Sequence, residues 1–96
     1  MGSKLRQAAR GQDCQVRMVV CNHNPETTIL AHYRLAGTCG TGIKPPDLLG
    51  AWACSACHDA IDGRTQIDGY SKAYVRLAHA EGCLRTIYAL IQQGKL

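Results

Sequence analysis

The chain has 96 residues, a net charge of +4 and 46% hydrophobic residues, which is typical of one small globular domain. No apolar run approaches the ~20 residues of a membrane span, so the sequence predicts no membrane-spanning segment and no membrane partner. The charge is compatible with a polyanionic partner but does not require one. With one Trp, four Tyr and no Phe, the aromatic core is thin, which favours stabilisation by a metal or by disulfides.

The first half of the chain predicts two short strands. Residues 1–10 carry basic side chains around a few apolar ones and predict a short helix or a basic arm. Residues 15–20 predict a strand, and 22–26 predict a turn. Residues 27–34 are rich in β-branched side chains and predict a second strand. Alternation assigns one face of this strand to Thr28, Leu30, His32 and Arg34.

The middle of the chain predicts a long loop, a strand and a helix. Residues 35–50 hold four glycines and two prolines, and a loop of about 15 residues in so small a domain is usually functional or mobile. Residues 48–53 predict a short strand. A helix is predicted over 56–62, with Ser55 as its N-cap and Gly63 just after its end.

The C-terminal part predicts one long helix over residues 72–93. Ser71 is its predicted N-cap, and Gly82 weakens its middle by about 1 kcal/mol relative to alanine. We expect the helix to pack through an apolar stripe. The members of this stripe are Val75, Leu77, Leu84, Ile87, Tyr88 and Ile91.

Six cysteines in this chain predict a metal site. No basic and apolar leader precedes the first elements, so we expect a cytosolic location, where cysteine pairs are typical metal ligands. A secreted disulfide scaffold is the alternative. One pair has the Cys-x-x-Cys spacing that places two sulfurs on one side of a tight loop, as tetrahedral zinc requires. The predicted ligands of a structural zinc are Cys14, Cys21, Cys54 and Cys57.

Alternatives remain open for this set. Cys39, in the glycine-rich loop, could replace one ligand of the earlier pair. His58, directly after Cys57, could instead complete a site of three thiolates and one imidazole. Cys83 is expected to be a core thiol. A redox role for the Cys-x-x-Cys motif is disfavoured because no βαβ pattern surrounds it.

Two hard ligands are predicted on the short helix. His58 and Asp62 are spaced i, i+4, so they share one face of a helix and can bind a second, hard cation. Asp59 could replace Asp62, but it is offset from His58 by roughly 100° around the helix.

A strand with a central histidine, a long loop, and a helix that opens with Cys-x-x-Cys-His follow one another in this chain. This order resembles the HNH or His-Me finger nucleases, whose ββα-metal core has that layout. More closely, the chain resembles the small prophage-encoded nucleases of the YbcO type, whose core is similar to that of the phage Ref nuclease. The stretches that carry this resemblance are Ala-Ala-Arg-Gly (8–11), Asp-Cys-Gln-Val-Arg (13–17), Cys-Asn-His-Asn-Pro-Glu-Thr-Thr (21–28), Leu-Ala-His (30–32), Gly-Thr-Gly-Ile-Lys-Pro-Pro-Asp-Leu (40–48) and Ala-Cys-Ser-Ala-Cys-His-Asp (53–59).

The resemblance implies a role for each matching residue. His32 matches the general base, and His58 and Asp62 match the helix ligands of one catalytic divalent metal, Mg²⁺ or Mn²⁺. Arg34 and Arg64 could clamp phosphate oxygens. The resemblance also implies DNA as substrate, a setting in phage or prophage recombination within the bacterial host cytoplasm and, through Ref, RecA-coated DNA as a partner.

Two positions depart from the family pattern. Ala31 stands directly before the matched base, where an acidic residue or a histidine usually provides a further metal ligand. Residues 35–53 contain no asparagine, whereas the family uses a middle asparagine to brace the loop and orient the base.

We therefore predict an α+β, zinc-stapled ββα-metal domain over residues 1–96, with its core over 11–65 and a packing helix over 70–93. The predicted function is metal-dependent DNA endonuclease activity. The alternative is a non-catalytic zinc module that binds nucleic acid or protein. A monomer and a homodimer formed through the long helix are both open.

Overall fold

The computed structural model describes residues 3–96, so residues 1 and 2 of the predicted N-terminal arm lie outside the described part. The elements in chain order are α1 (Ser3–Ala8), β1 (Ile29–His32), β2 (Gly50–Ala53), α2 (Ser55–Ile61) and α3 (Lys72–Gln92). Short 3₁₀ turns at Pro25–Thr27 and Asp47–Leu49 lead into the two strands. A small α+β architecture with a long C-terminal helix is thereby confirmed.

The two strands form an antiparallel sheet. Leu30 lies opposite Trp52, and His32 lies opposite Gly50. The glycine is required at this place, because a Cβ on Gly50 would lie 2.8 Å from the Leu30 side chain. Two four-residue strands are marginal by themselves in water, so this sheet depends on what packs against it.

Both faces of the sheet are covered, and side-chain alternation separates two apolar clusters. The cluster on one face contains Ala31, Ala51 and Ala53 together with Cys14, Val16, Met18, Cys54, Cys57, Ala60 and Cys83. The cluster on the other face contains Ala9, Leu30, Trp52 and Leu90. Alanines on the first face let the cysteines and α3 approach the strands closely.

The outer edge of β2 is closed by two polar contacts from other parts of the chain. The backbone N–H of Trp52 donates to Oγ1 of Thr86, 2.9 Å away. The backbone N–H of Gln15 donates to the Trp52 carbonyl at 2.7 Å. An open strand edge would offer these groups to another chain, and here they are satisfied internally.

Helix α3 is confirmed within one residue at its end, and its predicted cap is also confirmed. The Ser71 hydroxyl accepts the N–H of Tyr74 at 3.1 Å. The helix is joined to β1 by His79, whose Nε2–H donates to the Ala31 carbonyl at 2.8 Å. Burial lowers the pKa of His79, which keeps the ring neutral.

The predicted apolar stripe of α3 is wrong as a description of its buried face. Four of its members are more than half exposed, namely Leu77, Leu84, Tyr88 and Ile91. The buried face consists mainly of small and polar residues, namely His79, Gly82, Cys83, Thr86 and Leu90. A larger side chain does not fit at position 82, because a Cβ on Gly82 would lie 2.9 Å from Cγ2 of Val16.

The predicted strand over 15–20 is also wrong. The segment is irregular, and Arg17 has a φ of +55°, which breaks an extended chain. Burial nevertheless alternates along residues 16–18, since Val16 and Met18 are buried while Arg17 is exposed. The segment is flanked by Cys14 and Cys21 of one cysteine cluster, and it is joined to β2 by the backbone hydrogen bond from Gln15 to Trp52.

Helix α2 begins one residue earlier than predicted, and Ser55 is not its cap. Cys54 takes that position, with its Sγ accepting the N–H of Cys57 at 3.4 Å. The end of the helix agrees with the prediction, because Gly63 follows the cap residue Asp62 with a φ of +80°. The predicted strand over 27–34 is shortened to β1, because Thr27 belongs to the preceding 3₁₀ turn. Within residues 3–96, no helix is both long enough and apolar enough to cross a membrane.

Replacing Gly82 by alanine is expected to destabilise the domain. On helix propensity alone, this change would stabilise α3 by roughly 1 kcal/mol. The new methyl group would however lie 2.9 Å from Val16 Cγ2 and 3.2 Å from the Gln15 carbonyl, and overpacking of this kind costs about 1–3 kcal/mol. We therefore expect a lower midpoint in thermal unfolding, with the exposed Glu81→Ala as control. A raised midpoint would show that the contact between α3 and Val16 can relax freely.

Candidate functional site

The four predicted cysteine ligands come together in one group. The ligand atoms of Cys14, Cys21, Cys54 and Cys57 all lie within 4.8 Å of one another. Cys54 and Cys57 are fully buried and sit at the start of α2, whereas the other two come from the irregular segment before β1. The two ends of segment 14–21 therefore meet the start of α2 at this cluster.

Backbone N–H groups surround this cluster and favour negative charge on it. The Sγ of Cys54 accepts the N–H of Asn22 at 3.5 Å, and the Sγ of Cys14 accepts the N–H of Arg17 at 3.5 Å. The Cys57 thiol hydrogen-bonds to Cys14, which lowers the pKa of Cys14 to about 4 and raises that of Cys57. A cation bound by four sulfurs would replace the remaining protons of the group.

The donor set fits a soft or borderline divalent cation. Four sulfur ligands are typical of structural zinc, which is four-coordinate and tetrahedral in such sites. The cluster can therefore hold a metal ion such as zinc. Within residues 3–96, neither Cys39 nor His58 belongs to the group. Cys83 is buried, and burial raises its pKa to about 11, as expected of a packing thiol.

A second polar cluster lies along α2. Nε2 of His58 is 3.2 Å from Oδ2 of Asp62, so the two side chains meet on one side of the helix. Arg64 folds back over them, with Nη2 3.1 Å from the same Asp62 oxygen and its Nε 2.9 Å from Oδ1 of Asp59. The hydrogen bond to Asp59 raises the pKa of Arg64. The side chains of His58 and Asp62 are 26% and 38% exposed, so a ligand can reach them from solvent.

Space for a ligand is present beside Asp62. A depression of about 370 Å³ begins at this carboxylate and continues between the end of α2 and the start of α3. Lys72 and Arg76 bring positive charge to its lining, and Tyr70 brings an exposed ring. The lining thus combines the Asp62 carboxylate with two basic side chains and an aromatic ring.

His32 pairs with a carboxylate that the sequence does not single out. Its Nε2 lies 2.5 Å from Oδ1 of Asp47, and the two side chains are 24% and 16% exposed. Asp47 begins the 3₁₀ turn that leads into β2. It is the sole acidic residue between positions 35 and 53, which is the signal that could have indicated it.

The other oxygen of Asp47 lies in an unusual environment. Oδ2 is buried and has no hydrogen-bond partner within the described residues. Nε of Arg6, on α1, is 3.8 Å away, close enough for an ion pair but not for a hydrogen bond. Asp47 thereby connects His32 to the basic helix at the start of the chain.

Arg34 stands apart from both clusters. It is exposed, and its guanidinium donates to the Gly40 carbonyl at 3.4 Å. The residues predicted for the structural zinc and for the catalytic site thus form four sets of contacts: the four cysteines, the His58–Asp62–Arg64 cluster, the His32–Asp47 pair, and Arg34 with the Gly40 carbonyl. Among residues 3–96, the cysteines are the one group of three or more potential ligands held close together.

Fold and site define a small α+β domain with a four-cysteine cluster that could hold a metal ion and with two histidine–carboxylate pairs. The sequence profile of one family, described as "Putative nuclease YbcO", matches residues 3–95. The chain belongs to this family. The association with nuclease activity and with phages comes from the names of its relatives.

Two curated relatives, each called "Putative nuclease YbcO", come from Escherichia coli K12 and from Enterobacteria phage 82. Each is 54% identical over 91 residues, which cover 94% of this chain and 93% of the relative. A solved structure of "a putative bacteriophage protein" from Escherichia coli K-12 is 46% identical. It covers 95% of this chain and 100% of its own, with a TM-score of 0.78.

Replacing Cys57 by serine is expected to remove the bound metal and to unfold the domain. Structural zinc contributes on the order of 10 kcal/mol to the folding of small domains, which is comparable to the whole stability of roughly 5–15 kcal/mol that most domains possess. Metal content by mass spectrometry and thermal unfolding by circular dichroism would measure both effects. Cys39→Ser is the matched control and should retain metal and midpoint. Full metal content in Cys57→Ser would contradict the claim that metal held by this cluster stabilises the fold.

Proposed function

We propose that the protein is a metal-dependent DNA endonuclease of the HNH or His-Me finger type, with His32 as its general base. The proposal is supported by membership of a family named for nuclease activity. The observation that carries it is the element order β1, β2, α2, with His32 at the end of β1 and the His58–Asp62 pair on α2. This is the layout expected of a ββα-metal nuclease.

The hydrogen bond to Asp47 assigns the roles of the two ring nitrogens of His32. The Nε2–H donates to the carboxylate, which leaves Nδ1 free to accept a proton from water. In the proposed reaction the water oxygen bonds to phosphorus as its proton passes to Nδ1. The bond from phosphorus to the 3′-oxygen breaks, and that oxygen leaves with the shared electron pair and then takes up a proton. The Asp47 charge stabilises the imidazolium that forms.

His58 and Asp62 are the proposed ligands of the catalytic cation. An imidazole nitrogen and a carboxylate oxygen 3.2 Å apart can both face one ion, and Mg²⁺ accepts such a sparse set because it keeps several waters. A bound Mg²⁺ or Mn²⁺ would polarise the phosphate and stabilise the departing oxygen. Arg64 already pairs with Asp62, so in this proposal it orients that carboxylate as well as contacting phosphate. Among residues 3–96, the Arg34 guanidinium donates to one carbonyl, that of Gly40. More of its donors are therefore available to a phosphate than those of Arg64.

The proposed setting is DNA processing by a phage or prophage. It is supported by the relative from Enterobacteria phage 82, and RecA-coated DNA enters only through the resemblance to Ref. The second candidate is a non-catalytic metal-binding module for nucleic acid or protein. The four-cysteine group favours it, because that group is complete without any histidine. Cleavage is therefore the property that separates the two candidates.

Replacing His32 by alanine is expected to abolish cleavage without loss of folding. Removal of a general base lowers rates by about 10²–10⁴-fold. The assay is nicking of supercoiled plasmid with Mg²⁺ or Mn²⁺, compared with the same reaction without added cation. His23→Asn is the matched control, because His23 is exposed and its φ of +55° suits asparagine. Undiminished nicking by His32→Ala would exclude it as the base, and absence of nicking by the natural chain would favour the binding module.

Replacing Asp47 by asparagine is expected to lower kcat by about 10–100-fold, as for other partners that orient a functional histidine. The amide keeps the size and an acceptor oxygen for the His32 ring, but it removes the charge that stabilises the imidazolium. Because Asp47 acts through His32 rather than on DNA, KM should stay unchanged. A matched change of Asp68, an exposed acid outside the site, should leave both constants unaltered. A change confined to KM would contradict the positioning role.

A further inference from the structure

A basic groove lies between α1 and β1, outside the two histidine clusters. Its volume is about 420 Å³. The residues that line it are Arg6, Gln7, Arg10, Thr28, Ile29 and Leu30. None of these residues is acidic, so the lining carries a net positive charge of two guanidinium groups.

The two arginines offer donors that the fold does not use. Arg6 lies on α1, Arg10 lies in the turn that follows this helix, and both line the groove. Arg10 makes no side-chain hydrogen bond or ion pair with residues 3–96. Arg6 has one ion pair, at 3.8 Å to Asp47, which is beyond hydrogen-bond distance. A guanidinium binds a phosphate group through two parallel hydrogen bonds, and these donors are available for it.

A second observation at the same groove also points to a ligand. Thr28 lines the groove and is 3% exposed, and among residues 3–96 its hydroxyl oxygen has no hydrogen-bond partner. A buried hydroxyl without a partner costs about 1–3 kcal/mol, so such groups are rare in folded proteins. An oxygen atom of a ligand in the groove would accept this hydroxyl proton.

We propose that this groove binds a backbone phosphodiester of a DNA strand. Arg6 and Arg10 neutralise the phosphate, and Thr28 donates to one of its oxygens. The groove is joined to the His32–Asp47 pair through Arg6, so a strand held there is fixed next to the proposed base. As a site on substrate DNA, the assignment rests on the proposed function, and it adds an anchor that is separate from the reacting phosphate.

The test is DNA binding by fluorescence anisotropy, with labelled single-stranded and duplex DNA, over a series of salt concentrations and without added divalent cation. Arg10→Gln is expected to weaken binding by about tenfold or more, since it removes one charge-assisted contact to phosphate. The slope of log K against log salt should fall in magnitude by about 0.7 for single strands and 0.9 for duplex DNA, the value for one phosphate. Lys4→Gln, an equal loss of charge on the adjacent helix α1 and outside the groove, should change neither quantity comparably.

Thr28→Val separates a ligand contact from a structural one. Valine has the shape of threonine but no hydroxyl, so the free protein should be as stable as before or more stable. DNA binding should nevertheless weaken, and Thr28→Ser should restore it. Loss of stability together with unchanged DNA binding would assign the hydroxyl to the fold and overturn the proposal.

Inorganic phosphate distinguishes a free anion from a nucleic-acid backbone. If phosphate alone raises the melting temperature through Arg10, and Arg10→Gln leaves DNA binding unchanged, the groove takes a free anion and the proposal fails. Failure of the nuclease proposal is a different result. It would appear as DNA binding that depends on Arg10 in a chain that does not cleave with Mg²⁺ or Mn²⁺.

Discussion

The meeting of four sulfur atoms is the constraint on which the rest of this domain depends. It joins the irregular segment 14–21 to the junction between β2 and α2. Cys54 serves that junction twice, because its Sγ belongs to the cluster and also caps α2. Any cation held by the cluster would therefore fix the start of the helix that carries His58 and Asp62. A sheet of two four-residue strands could not impose that orientation alone.

Close approach is the second constraint, and it explains why the core is built from small residues. The sheet face toward the cysteines presents alanines, and α3 presents Gly82 where it meets Val16. At such short distances polar groups can bond directly across the interface. Thr86 thus satisfies β2, and His79 satisfies β1. These bonds fix the position of α3 along the strands, which apolar contacts of small side chains would fix less well.

Several features of this arrangement could be predicted from the sequence, because local chemistry determines them. The Cys-x-x-Cys spacing, the Ser71 cap and Gly63 each act within a few residues, and each prediction agrees with the structure. The buried face of α3 could not be predicted in the same way. Its large apolar residues suggest burial by hydrophobicity, whereas the short distance to Val16 selects Gly82 and the hydrogen bond to the Trp52 backbone selects Thr86. The backbone of residues 14–20 could not be predicted either. Buried and exposed side chains alternate there although the segment, which begins at the cluster residue Cys14, is irregular.

Asp47 marks the point at which sequence patterns no longer suffice for the site. Its partner His32 is fifteen positions away, and only the register of β1 against β2 brings them together. In the HNH nucleases that the sequence resembles, the expected brace of this loop is an asparagine, and an aspartate beside the histidine differs from it in one respect. Both can accept the Nε2–H of the histidine, but only the carboxylate adds a negative charge beside it. Under the proposed mechanism this charge lies beside the imidazolium that His32 becomes, and Nε of Arg6 lies 3.8 Å from the other oxygen of Asp47. Asp62 pairs with Arg64 and is exposed to solvent. Under the same mechanism, a cation could therefore reach it. The two histidine–carboxylate pairs would thus divide the chemistry, one accepting a proton and the other holding a metal ion.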